Sequence, residues 1–94
     1  MTEKLRGGCA GARGKALWDA GDFAGAAMWF REALRADPSQ GAWRTNLVAA
    51  LQRIIDPLVR ARRCGEAKGP IDEGLSLAPG DEFLLEARRF CAAR

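Results

Sequence analysis

The chain has 94 residues, which suits one small domain whose surface stays largely in water. Its net charge of +3 is a mild excess that excludes a histone-like basic arm, and its lack of histidine removes the commonest general base and metal ligand. Eighteen alanines and few β-branched residues favour closely packed helices over a sheet. We therefore predict a non-catalytic, all-α protein without a cofactor or metal.

The cysteines are Cys9, Cys64 and Cys91, an odd number with wide spacing. This pattern argues against a disulfide framework and a zinc site, and it favours a reducing compartment. The N-terminus lacks the apolar run of a signal peptide, and no stretch approaches the roughly 18 apolar residues of a membrane span. We expect a cytoplasmic protein, or an excised module of a larger one, with no membrane contact.

The first half of the chain predicts two helices joined by a tight turn. Residues 1–8 are polar and end in glycine, so we expect them to be frayed and the domain to cover 9–94. A first helix over about 9–20 has Gly7, Gly11 and Gly14 on one side, which is typical of close contact with another backbone. Gly21 stops this helix, and Asp22 caps a second over about 23–36.

The second half predicts three more helices. An apolar stripe from Trp43 to Leu58 indicates a helix over about 41–62. Pro57 lies inside this stretch, so we favour a kinked continuous helix; alternatively, Asp56 caps one helix and Pro57 opens the next. Helices over about 66–77 and 82–92 follow, separated by Pro79-Gly80-Asp81.

The chain contains an internal repeat. The apolar pattern of the second helix returns 41 residues later, whereas Leu17 of the first helix corresponds to Leu51, only 34 residues on. Seven extra residues therefore lie in the first helix of the second unit, and two added helical turns keep its stripe on one face. The matching positions are Phe23, Ala26, Phe30, Ala33 and Pro38 with Cys64, Ala67, Ile71, Gly74 and Pro79.

This organisation resembles the tetratricopeptide repeat, a 34-residue helix–turn–helix. Ala26, Phe30 and Pro38 match its pattern and Gly21-Asp22-Phe23 fits its turn, whereas Ala10 and Arg13 stand where large apolar residues are usual. The resemblance implies an α-solenoid of antiparallel helix pairs, with repeats at about 7–40 and 41–80 and a capping helix at 81–94. It also implies an adaptor that binds a partner's peptide or helix in a concave groove.

When the chain is aligned with the positions of the tetratricopeptide repeat, eight residues are expected to face that groove: Lys15, Trp18, Asp19, Thr45, Asn46, Ala49, Gln52 and Arg53. Trp18 is the expected apolar anchor, with packing against the next helix as the equal alternative. Asn46 matches one position of the carboxylate clamp found in co-chaperone members, but Gly11 stands where a clamp lysine would be. A co-chaperone-like role is thus weakly supported.

Two further surfaces suggest other partners. Met28 and Trp29 lie on the outer flank of the second helix, so a structural module that self-associates or docks on a larger assembly is the alternative function. A basic run extends from Arg53 to Lys68, but few aromatic residues interleave with it, so we expect a solvated helix face and no nucleic-acid binding.

Overall fold

The computed structural model describes residues 3–93, with side chains described from Cys9 onward. These residues form five helices and no strand, which confirms the predicted all-α class. The helices are α1 (Glu3–Asp19), α2 (Phe23–Ala36), α3 (Gly41–Arg60), α4 (Cys64–Leu77) and α5 (Glu82–Ala92). The described residues divide into two compact units inside α3, with unit 1 ending at Ala50 and unit 2 beginning at Leu51.

Helices α2 and α5 begin and end where the sequence predicts, and an aspartate caps the start of each. The Asp22 carboxylate accepts a hydrogen bond from the Gly25 amide at 2.9 Å, and Asp81 accepts one from the Leu84 amide at 2.9 Å. Helix α3 ends at Arg60, slightly before its predicted end, and it continues through Pro57. The continuous alternative at Pro57 is therefore the correct one.

Two helix starts differ from the prediction. Helix α1 begins at Glu3 and not near residue 9, while residues 1 and 2 of the segment expected to be frayed lie outside the described part. Helix α4 begins at Cys64 and not near residue 66. Its N-cap residue, Arg63, makes no side-chain capping bond, so no capping residue marked this boundary in the sequence.

In unit 1, glycines of α1 pack against aromatic rings. A Cβ at Gly14 would lie 2.7 Å from two ring carbons of Phe30, and a Cβ at Gly11 would overlap the Trp43 indole. The glycine face of α1 therefore accommodates side chains, which corrects the expected contact with another backbone. The buried apolar residues of unit 1 are Ala10, Ala26, Ala27, Phe30, Ala33, Leu47, Val48 and Ala50.

Unit 2 is built on a similar principle. A Cβ at Gly74 would lie 2.7 Å from Cδ1 of Leu84, so this glycine lets α4 and α5 approach closely. A disulfide bond joins Cys64 of α4 to Cys91 of α5, with the two Cα atoms 5.4 Å apart. The prediction that the cysteines are unpaired is thus wrong for these two. The buried apolar residues are Leu51, Ile55, Ala67, Ile71, Leu84 and Ala87.

The 41-residue repetition is present in the local geometry of each unit. Helices α2 and α4 both have 14 residues, and three of the four buried positions of α2 correspond to buried positions of α4: Ala26 with Ala67, Phe30 with Ile71, and Ala33 with Gly74. The turns before them also match, because Gly21 (φ 82°) and Arg62 (φ 59°) occupy the same left-handed position. Both turns carry the two backbone hydrogen bonds of a Schellman motif.

Candidate functional site

A cavity of about 350 Å³ in unit 1 brings together five of the eight predicted groove residues. Positions 15, 18 and 19 share one face of α1, and positions 46 and 49 share one face of α3, because residues three or four apart are neighbours on a helix. Phe30 of α2 completes the lining. The six lining residues are Lys15, Trp18, Asp19, Phe30, Asn46 and Ala49.

The apolar part of this cavity is held in place by packing. Phe30 is only 3% exposed, so its ring lies in the core and presents a limited surface to the cavity. Trp18 is half-buried and meets the Phe23 ring edge-on, with centroids 4.9 Å apart and an interplanar angle of 78°. Trp18 therefore takes part in helix packing and also lines the cavity.

The polar part of the cavity combines positive, negative and neutral groups. Lys15 and Asp19 are exposed on α1, and Asn46 is half-buried on α3. An asparagine amide donates and accepts hydrogen bonds, so it can pair with both the N–H and the C=O of a peptide. Among the described residues, no group of three or more acidic or cysteine side chains is placed to hold a metal ion.

Three predicted groove residues lie outside this cavity. Thr45 is exposed on α3 and does not line it. Gln52 belongs to unit 2, where its side-chain amide donates a hydrogen bond to Asp81 at 2.8 Å. Arg53 also belongs to unit 2 and is exposed. Alignment with the repeat family placed Gln52 in the groove from its position on the helix alone. That alignment did not indicate the hydrogen bond from the Gln52 amide to Asp81.

The second predicted surface is more covered than expected. Met28 is 50% exposed, but Trp29 is half-buried, with the Arg13 guanidinium 4.8 Å from its ring centroid. A cavity of about 260 Å³ lies beside this pair. Arg13 was noted in the sequence only as a departure from the family pattern, and an arginine facing an aromatic residue on the next helix was the available signal for this contact.

Most of the basic run in unit 2 is neutralised by neighbours on the same helix or turn. Arg60 pairs with Asp56, Arg63 with Glu66, and Lys68 with Asp72, in every case with exposed side chains. Such pairs at three- or four-residue spacing are ordinary features of a solvated helix face.

No helix in the described part of the chain is long and apolar enough to cross a membrane. No family model, curated protein or solved structure matches the chain. The resemblance to tetratricopeptide repeats therefore rests on the residues quoted above and on the local geometry that the two units share.

Proposed function

We propose that the chain is a non-catalytic interaction module, similar to tetratricopeptide-repeat adaptors, whose unit 1 cavity binds a peptide or helix of a partner protein. The supporting observation is that Lys15, Trp18 and Asp19 of α1 line one cavity with Asn46 and Ala49 of α3. The 41-residue repetition of helix length, turn geometry and buried positions is what a helical repeat protein requires.

The composition of the cavity suits a peptide. Trp18, Phe30 and Ala49 offer an apolar surface to one side chain of the partner, while Asn46 can pair with its backbone. Lys15 adds a positive charge that selects acidic residues next to that anchor, and Asp19 selects basic ones. A cavity of about 350 Å³ lies at the small end of ligand sites, so it accommodates one or two residues of a longer segment.

A displayed library of random peptides, selected on the immobilised protein, tests this proposal. The affinity of an enriched peptide is then measured by fluorescence anisotropy for the unmodified protein and for Ala49→Gln, which fills the cavity. We expect Ala49→Gln to weaken binding at least about tenfold, which is 1.4 kcal/mol. The matched control is Ala24→Gln, the same substitution at an exposed position of α2.

A second pair of variants separates the cavity from the wider groove. Asn46→Ala removes a cavity amide, whereas Thr45→Ala changes the adjacent exposed residue, which does not line the cavity. We expect only Asn46→Ala to weaken binding. A selection that enriches no peptide, or a peptide that binds Ala49→Gln as tightly as the unmodified protein, contradicts the proposal.

Self-association or docking on a larger assembly is the second candidate function, favoured by the exposure of Met28. At 50% exposure it is one of two large apolar side chains exposed in the described chain. Light scattering of the unmodified protein and of Met28→Glu measures the oligomeric state. A dimer that dissociates in Met28→Glu supports self-association, whereas a monomer in both samples rules it out.

The cytoplasm remains the proposed location, supported by the exposed free thiol of Cys9. The Cys64–Cys91 disulfide is the observation against it, because disulfides persist mainly in oxidising compartments. Fractionation of cells that express the chain checks the location.

A further inference from the structure

We propose that Cys64 and Cys91 are a reversible thiol–disulfide pair which, when oxidised, latches the C-terminal end of α5 onto α4. Cys64 is the first residue of α4, and Cys91 lies one residue before the end of α5. The two are 27 residues apart in sequence but their Cα atoms are 5.4 Å apart, within the range for a disulfide. Because the two cysteines lie at these helix ends, the bond between them can hold the C-terminal end of α5 against the start of α4.

The bridge is open to small reagents. Both cysteines are half-buried, and both line a cavity of about 370 Å³. The same cavity is lined by Lys68, Asp72 and Arg88, of which Lys68 and Asp72 form an ion pair at 3.1 Å. Arg88 therefore leaves a positive charge in the cavity that the two cysteines line.

The two sulfur atoms have different roles in the exchange. We assign the attacking role to Cys64, the first residue of α4, and the second step to Cys91, near the end of α5. With a low-molecular-mass disulfide as oxidant, the Cys64 thiolate bonds to one of its sulfurs and the other sulfur leaves as a thiolate. The Cys91 thiolate then attacks Sγ of Cys64 and displaces the first sulfur.

This sequence is balanced in atoms and electrons. Two electrons pass from the cysteine pair to the oxidant, one S–S bond breaks and one forms, and the two thiol protons end on the two released small thiols. A dithiol reductant reverses the same steps, and it leaves the pair reduced and the reductant oxidised.

The latch affects the C-terminal part of α5 because the N-terminal part has its own attachments. Asp81 caps α5 and accepts the Gln52 hydrogen bond, and Leu84 is fully buried against Gly74. Beyond Ala87, the described side chains of α5 are exposed or half-buried, and Cys91 supplies the covalent attachment. Reduction removes this covalent attachment, so we expect residues 88–92 to be held less firmly and the cavity that Cys64 and Cys91 line to open.

The test uses a Cys9→Ser background, because Cys9 is an exposed free thiol that would confuse the labelling. The protein is incubated with oxidised glutathione or with dithiothreitol, then denatured, alkylated and weighed by mass spectrometry. We expect no alkylated thiol after oxidation and two after reduction. Hydrogen exchange at the amides of residues 88–92 should be at least about tenfold faster in the reduced form, with residues 84–87 unchanged.

A single substitution, Cys64→Ser, should give the exchange pattern of the reduced protein. If this variant fails to fold, the comparison of the oxidised and reduced protein is sufficient to test the proposal. Two thiols that stay reactive after treatment with oxidised glutathione overturn the proposal. Equal exchange at residues 88–92 in the two redox forms also overturns it, because the bond would then hold nothing in place.

Discussion

The ring of Phe30 occupies the space into which a side chain at Gly14 would project. A Cβ at position 14 would lie 2.7 Å from Cδ1 and Cε1 of this ring, well inside the normal contact distance between carbon atoms. Phe30 is only 3% exposed, so the ring has little freedom to move away. Because Phe30 also lines the unit 1 cavity, Gly14 sets where the apolar surface of that cavity lies.

We therefore expect Gly14→Ala to destabilise the protein. Alanine favours a helix by about 1 kcal/mol, but the overlap with Phe30 costs about 1–3 kcal/mol, so the free energy of unfolding should fall by up to about 2 kcal/mol. Urea denaturation followed by circular dichroism measures this change. The control is Gly65→Ala, where an added Cβ meets nothing within 4 Å, and its stability should be equal or higher. A Gly14→Ala variant as stable as Gly65→Ala contradicts the proposed packing.

Asp81 should matter more than a simple helix cap. Its carboxylate caps α5 through the Leu84 amide and also accepts a hydrogen bond from Gln52. We expect Asp81→Ala to lower the free energy of unfolding by about 2 kcal/mol, as the sum of a cap and a net hydrogen bond of about 1 kcal/mol each. Asp22→Ala, which removes a capping hydrogen bond of the same length on α2, should cost about 1 kcal/mol.

A double-mutant cycle isolates the contact between Gln52 and Asp81. The coupling free energy between Gln52→Ala and Asp81→Ala should be about 1 kcal/mol, because each substitution removes one partner of the same hydrogen bond. Additive effects of the two substitutions would show that this hydrogen bond contributes no stability. Gln52 would then be available to contact a partner in the groove, which is the role expected from alignment with the repeat family.

The disulfide should stabilise the folded protein by a measurable amount. In the chain-entropy model, a cross-link between residues 27 apart removes about 3.5 kcal/mol of unfolded-state freedom. We expect the oxidised Cys9→Ser protein to have a free energy of unfolding higher by about 2–4 kcal/mol than the same protein in a reductant, measured with guanidinium chloride. Identical curves with and without reductant would contradict this prediction.

The stacking of Arg13 on Trp29 should make a small contribution to unit 1. We expect Arg13→Gln to lower the free energy of unfolding by about 0.5–1 kcal/mol, because the guanidinium lies 4.8 Å from the ring centroid. Arg44→Gln, at an exposed position of α3, is the matched loss of charge and should have little effect. Thermal unfolding of both variants compares them, and equal melting temperatures would argue against the stacking.

The sequence predicted the helices best where a local signal marks their ends. Asp22 and Asp81 cap α2 and α5 through the amides three residues later, so both boundaries are visible in a few residues. The start of α1 was missed because its glycines lower helix propensity. The packing of those glycines against Phe30 and Trp43 depends on tertiary contacts that no local pattern shows.

The parts of the candidate site that share one face of a helix were predictable from the spacing of their residues. Positions 15, 18 and 19 share a face by geometry alone, whereas Gln52 is engaged by Asp81, 29 residues away. The Cys64–Cys91 pair was missed because an odd cysteine count was taken as evidence against any pairing. The positions of the two cysteines were the available signal, because the start of one helix lies close to the end of the next when the two helices are antiparallel.

Arg62 has one further consequence. It adopts φ 59° at the end of α3, the conformation that Gly21 adopts at φ 82° at the end of α1, and an L residue there costs about 1 kcal/mol. The turns after α1 and α3 thus have the same backbone geometry, and replacing Arg62 by glycine would remove this cost. Because Arg62 is exposed, this one substitution offers a way to raise the stability of the protein.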